Sequence, residues 1–180
     1  MIDAPDLGAV ITRVITDRDG IEALDRAQRA RIPTTILPWG DFASRQEFSD
    51  AIGAAAAEAG AETLVLAGFM RVLAPGLIAR FPQHILNIHP SLLPAFPGSH
   101  AVDQALEHGV KVTGVTVHFV DEQVDHGPII AQRAVPVLPD DDVASLHARI
   151  QVEEHDLYPA VVRAFAQGRI SLVGGKVVWA

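Results

Sequence analysis

The chain has 180 residues, of which 49% are apolar, enough for one ordinary domain with a real core. It has no cysteine, which excludes a disulfide framework, a thiolate zinc site and a cysteine nucleophile, so any catalysis uses other side chains. A formal net charge of −8 argues against a broad nucleic-acid or anionic-membrane surface, because such surfaces neutralise phosphates with clustered Lys and Arg.

The N-terminus carries acids at Asp3 and Asp6 and no basic stretch, unlike a secretory signal, and no apolar run approaches the ~20 residues of a membrane span. The expected compartment is the cytoplasm. Val10 to Thr16 reads as a strand and Ile21 to Arg31 as a helix, which opens a βαβ rhythm. A short strand at Thr34 to Leu37 precedes a helix from about Ser44 to Ala59, and Thr63 to Ala67 reads as a buried strand ending in the apolar loop Gly68-Phe69-Met70. Pro75 suits the first turn of the next helix. A strand at Ile85 to Ile88, a helix from about Val102 to Glu107 and strands at Val112 to Val120 and Ile129 to Val135 follow. The last long helix comes after Asp140-Asp141-Asp142, a run that fits either a helix N-terminus or a metal site. Pro159 is expected to kink that helix or start a new segment, and Ile170 to Trp179, around Gly174-Gly175, reads as a hairpin. With no repeat or linker, the expected architecture is α/β: a single doubly wound, mostly parallel sheet with helices on both faces.

Candidate chemistry concentrates in a few places. In the strand at Asn87-Ile88-His89, side chains two apart share a face, so Asn87 and His89 point together at the C-terminal end, where open α/β sheets bind ligands. Pro90, Pro94 and Pro97 then stiffen the turn. Along Lys111 to Val120, Val115, Val117 and Phe119 alternate with Gly114, Thr116 and His118, whose polar face is either part of a site or the solvated face of an edge strand. Asp125-His126-Gly127-Pro128 is a turn signature with an Asp that could also be functional. Glu154 falls on the apolar stripe Val143, Leu146, Ile150, Leu157, Val161, so its carboxylate either faces inward toward a partner or snorkels at the stripe's edge.

Leu66-Ala67-Gly68-Phe69-Met70-Arg71, Asn87 through Pro94, Phe96-Pro97-Gly98 and Asp125 through Pro128 occur in that order, and together they resemble the phosphoribosylglycinamide formyltransferase family over nearly the whole chain, Ser44-Arg45 and Glu153-Glu154-His155 included. The resemblance implies a Rossmann-like formyltransferase fold and formyl transfer from 10-formyltetrahydrofolate to the amine of glycinamide ribonucleotide, with no metal. It implies Asn87, His89 and Asp125 as the catalytic set, folate binding by Phe69, Met70, Arg71, Val72, Leu73, Asp121 and Asp125, and substrate binding by Arg45, Thr116, His118 and Glu154. Such a transfer needs placement, charge stabilisation and proton movement without a covalent enzyme intermediate. Asn87 and a protonated His89 could donate to the oxyanion, with Asp125 holding His89 charged and helping the amine proton to the leaving nitrogen. The partners implied are folate and the ribonucleotide, without nucleic acid or membrane, in a monomer or homodimer.

The family opens with a central strand and a Gly-rich phosphate loop that this sequence lacks, since Met1-Ile2-Asp3-Ala4 resembles the end of the helix that follows them. The expectation is one formyltransferase domain over 1–180 without about 20 residues, through either a misassigned start or a true truncation. Its sheet should then show a gap, a re-pairing of the flanking strands or a borrowed strand. The competing functions are a formyltetrahydrofolate deformylase, which normally carries an extra regulatory domain, an initiator-tRNA formyltransferase, which carries an added basic domain, and an impaired folate-binding remnant.

Overall fold

Short apolar strands separated by capped helices build a layered α/β structure; the computed structural model describes residues 1–4 and 6–180. In chain order the elements are β1 (Val14–Thr16), α1 (Glu22–Arg29), β2 (Thr34–Ile36), a 3-10 turn (Trp39–Asp41), α2 (Arg45–Glu58), β3 (Leu64–Leu66), α3 (Pro75–Arg80), β4 (Ile85–His89), α4 (Ala101–Glu107), β5 (Val112–Phe119), β6 (Ile129–Pro136), α5 (Val143–Ala166), β7 (Ile170–Val173) and β8 (Lys176–Trp179). Each expected strand and helix is present, most of them trimmed at the ends. β1 is the most shortened, because only Val14 to Thr16 have ladder partners, in β2, and Val10 is 85% exposed.

The α/β class stands, but the sheet is mixed and divided. β1 pairs with β2 in parallel; β3-β4-β5-β6 form a second sheet, parallel between β3 and β4 and antiparallel from there on; β7 and β8 form the expected hairpin. A parallel crossover needs a dozen or more residues, and nine residues without a helix join β5 to β6, so that pair turns back on itself. No ladder joins β1 to β3, the gap named above, although Ile15 and Leu66 pack on the same core of Phe48, Ile52 and Leu77. A larger core, including Leu86, Val115, Val117, Leu146, Ile150 and Val161, lies between the four-stranded sheet and α5.

Local chemistry sets the helix ends. Ser44 accepts the Glu47 N–H to start α2. Asp142 and Ser145 form a capping box at α5, and Asp141 accepts from Arg149 and from the Leu138 N–H, so the acidic run serves the helix start. The segment break expected at Pro159 does not occur: α5 runs through it as one helix. Proline removes one helical hydrogen bond, and the buried Leu157, Tyr158, Val161 and Val162 hold both sides of it against the core. Among the described residues no helix is long and apolar enough to cross a membrane.

The Tyr158 hydroxyl fastens α5 to β3 and β4, 2.8 Å from the Leu66 carbonyl and 2.9 Å from the Leu86 carbonyl. Burial pushes its pKa well above the ordinary tyrosine value, so it remains a donor. Tyr158→Phe should lower stability by about 1–3 kcal/mol, because the buried carbonyls lose their donor. Urea unfolding is the check, and a change under about 0.5 kcal/mol would show that the hydroxyl is not a fastening.

Candidate active site

β4 and β5 bring the polar residues together. Their antiparallel register sets Asn87 opposite His118 and His89 opposite Thr116, while Leu86, Val115, Val117 and Phe119 join the core against α5. The solvated-edge reading of the Gly114, Thr116, His118 face therefore falls: β5 lies between β4 and β6, and Thr116 and His118 are buried.

The third component arrives on the β5–β6 loop. A Cβ on Gly127 would stand 1.9 Å from the Phe119 carbonyl oxygen, so only glycine lets this loop lie so close to β5. Asp125, two residues earlier, has φ +50°, a left-handed conformation uncommon outside glycine. On the facing turn Phe96 has φ +54°, and the Gly98 N–H donates to Asp125 Oδ2 at 2.8 Å. Backbone strain of this kind persists where surrounding structure holds it, and it clusters at functional sites.

Asp125, its side chain 11% exposed, lies between two imidazoles. His89 Nδ1 is 3.3 Å from Oδ2 and His118 Nε2 is 3.6 Å from Oδ1. His89 Nε2 donates to the Phe96 carbonyl at 2.8 Å, and His118 Nδ1 donates to the Phe119 carbonyl at 2.8 Å. Carbonyls only accept, so in each neutral ring those nitrogens carry the proton and the bare nitrogen faces Asp125. His118 Nε2 then needs a donor, which is Asn87 Nδ2 at 3.2 Å. That bond orients the Asn87 amide and leaves its second N–H without a partner among the described residues.

Burial pushes the His89 pKa below the ordinary histidine value, against the opposing pull of the Phe96 carbonyl and Asp125. Burial alone would raise Asp125, but His118, the Gly98 N–H and His89 outweigh it and hold the carboxyl below its usual range. The lowered pKa favours the neutral His89 ring, whose Nδ1 then stands 3.3 Å from Asp125 Oδ2 with its lone pair toward the carboxylate. A cavity of about 170 Å³ between Pro94, Pro97, Val124 and Ile129 opens Asp125 to solvent from the loop side.

The other expected site residues have varied placements. In the loop after β3, Phe69 is half-buried and stacks 6.3 Å from Phe48, Met70, Arg71 and Val72 are exposed, and Leu73 is buried. Arg45 is exposed at the start of α2. Asp121 accepts the Gln123 N–H and pairs with His126, which orders its own loop. The Thr116 hydroxyl donates to the Ser91 carbonyl and accepts from the Leu93 N–H and Gln132, which makes it a buttress of the turn after β4. Glu154 is half-buried on α5 with its carboxyl pKa raised by burial, and no hydrogen bond joins it to the cluster among the described residues. Sequence reasoning passed over Gln132, Ser91 and Ser49, whose hydroxyl accepts the Ala74 N–H just behind the β3 loop. Their one signal is a polar residue at a buried position, which appears only once the partner strands are known.

The sequence profile described as Formyl transferase matches residues 2–162. The chain is 46% identical over 169 residues to the phosphoribosylglycinamide formyltransferase of Mycobacterium tuberculosis strain H37Rv, covering 94% of this chain and 78% of that protein. It is 45% identical over 176 residues to the human trifunctional purine biosynthetic protein adenosine-3, covering 97% of this chain but 17% of that protein's length. The crystal structure of glycinamide ribonucleotide transformylase 1 from Symbiobacterium toebii superposes with a TM-score of 0.90 at 48% identity, over 93% of this chain and 79% of that one. Sequence and fold thus agree that this chain belongs to the formyl transferase family.

Proposed function

We propose that the chain transfers the formyl group of 10-formyltetrahydrofolate to the amino group of glycinamide ribonucleotide, a step of de novo purine synthesis. The observation that carries this reading is the convergence of three groups on one strand end: His89 Nδ1 3.3 Å from Asp125 Oδ2, and the Asn87 amide on the same strand face, held by His118. An amine attacking the formyl carbon makes a tetrahedral adduct with an anionic oxygen and a cationic nitrogen. The second Asn87 N–H donates to that oxygen. The excess amine proton passes to His89 Nδ1, where Asp125 stabilises the imidazolium formed, and it returns to the folate nitrogen as the carbon–nitrogen bond breaks. Products are the formylated amine and tetrahydrofolate, with no proton gained or lost. His89 must be neutral to receive the proton, which its burial favours.

Met70, Arg71 and Val72 are exposed on the rim of β3, at the same strand ends as Asn87, and supply an apolar and cationic surface suited to folate. Solvent access to Asp125 through the loop-side cavity is the feature that would suit a hydrolase instead. Following formyl-labelled folate in the presence of the ribonucleotide separates the readings. Label is expected in the formylated ribonucleotide, in equal amount to the tetrahydrofolate released. Label recovered as formate at a rate indifferent to ribonucleotide would mean hydrolysis, and no release of tetrahydrofolate would mean binding alone.

A further inference from the structure

The proposed folate surface is held by a side chain outside the expected site. Asp17 follows β1, and its carboxylate, 13% exposed, accepts from Arg71 Nε at 3.0 Å, with Arg18 Nε 3.4 Å away on the other oxygen. Arg71 sits in the loop after β3, and its guanidinium also lies over the Trp39 ring at 5.0 Å from the centroid. Trp39 in turn packs edge-on against Phe48, on which Phe69 stacks. Burial alone would raise the Asp17 pKa, but Arg71 and Arg18 outweigh it and keep the carboxyl below its usual value.

This contact spans the place where β1 and β3 share no ladder, so side chains align the two strand ends there. A guanidinium fixed at Nε on one edge and stacked on an aromatic face has little freedom left. Its two terminal nitrogens have no hydrogen-bond partner among the described residues, and the side chain is 38% exposed. A planar fork held this way, at the ligand-binding ends of the strands, matches a carboxylate or a phosphate oxygen pair.

We propose that Asp17 is a positioning residue that aims the free edge of Arg71 at an anionic group of one of the two substrates, a folate carboxylate or the ribonucleotide phosphate. This rests on the formyl-transfer reading above. Without Asp17 the guanidinium keeps its charge but loses its orientation, so ground-state binding weakens while the chemistry at Asn87 and His89 continues.

The test is steady-state kinetics of the full chain with each substrate varied in turn. Asp17→Ala should raise KM roughly tenfold for one substrate, the scale of one charge-assisted hydrogen bond, with kcat within about twofold. Asp17→Asn, which keeps an oxygen for Nε, should recover part of the loss. A rise for folate alone identifies the carboxylate, and repeating the assay with a formylated pteroate that lacks the glutamyl group should then abolish the difference. A rise for the ribonucleotide alone identifies the phosphate. In the double variant Asp17→Ala, Arg71→Gln, the KM should be no worse than in Arg71→Gln alone, a comparison that holds even if Asp17→Ala also lowers stability. Unchanged KM values for both substrates, equal losses in kcat and KM, or additive losses in the double variant would overturn the proposal. An inactive unaltered chain would instead count against the formyl-transfer reading, and fluorescence titration of each substrate in the same variants would then decide the positioning role.

Discussion

Asp125→Asn is expected to lower kcat by about 100- to 10,000-fold while the thermal midpoint moves by no more than a few degrees, the rate scale being that of a lost general acid–base partner. The amide has the carboxylate's shape, and its oxygen can still accept the Gly98 N–H that fixes the loop. It cannot stabilise a proton on His89 Nδ1, and its NH₂ group would donate to one of the bare ring nitrogens and fill the place the proton needs. The His89 pKa should also fall, because the negative charge of Asp125 that raises it is removed. Steady-state rates and thermal melts on the same preparation check this. Loss of fold together with activity would assign Asp125 to the turn alone.

Asn87→Ala should cost about 100- to 1,000-fold in kcat, the scale found for removal of a single oxyanion donor. Folate affinity should change little, because the Asn87 N–H engages an oxygen whose charge develops only during reaction. The substitution also strips His118 Nε2 of its donor, so some of the loss comes through a ring free to turn. Comparing kcat with folate Kd from fluorescence titration makes the distinction. Near-normal turnover would remove Asn87 from the catalytic set, and an equal loss in affinity would make it a ground-state contact.

Much of this was legible in the sequence because it depends on local periodicity. Alternation put Asn87 and His89 on one strand face and Val115, Val117 and Phe119 in the core, and both hold in the structure. The acidic run before α5 was readable as a helix start for the same reason. What was not legible depends on which strands are neighbours. The partners of the Thr116 hydroxyl, Ser91, Leu93 and Gln132, are set by pairing with β4 and β6. Pro159 looked like a kink or a new segment because a local rule disfavours it inside a helix, and tertiary packing on both sides keeps α5 one helix. The charge state of His89 was unreadable for a third reason. Burial pushes its pKa down, and the Phe96 carbonyl, aimed at the ring by a left-handed residue, fixes which nitrogen carries the proton of the neutral form. Asp17 and Trp39 carry no motif, and their bearing on Arg71 exists only across the interrupted sheet.

The account stands or falls on His89 being a neutral ring with its bare nitrogen toward Asp125. Nitrogen-15 NMR of the histidine rings reads both properties directly, with the His89 signals assigned by their loss in His89→Gln. The expected result is a ring protonated on Nε2, with a pKa below the ordinary histidine value that falls further in Asp125→Asn. A proton resident on Nδ1 would contradict the proton-receiving role, and protons on both nitrogens with a pKa at or above the ordinary value would restore a standing imidazolium as the group that meets the oxyanion.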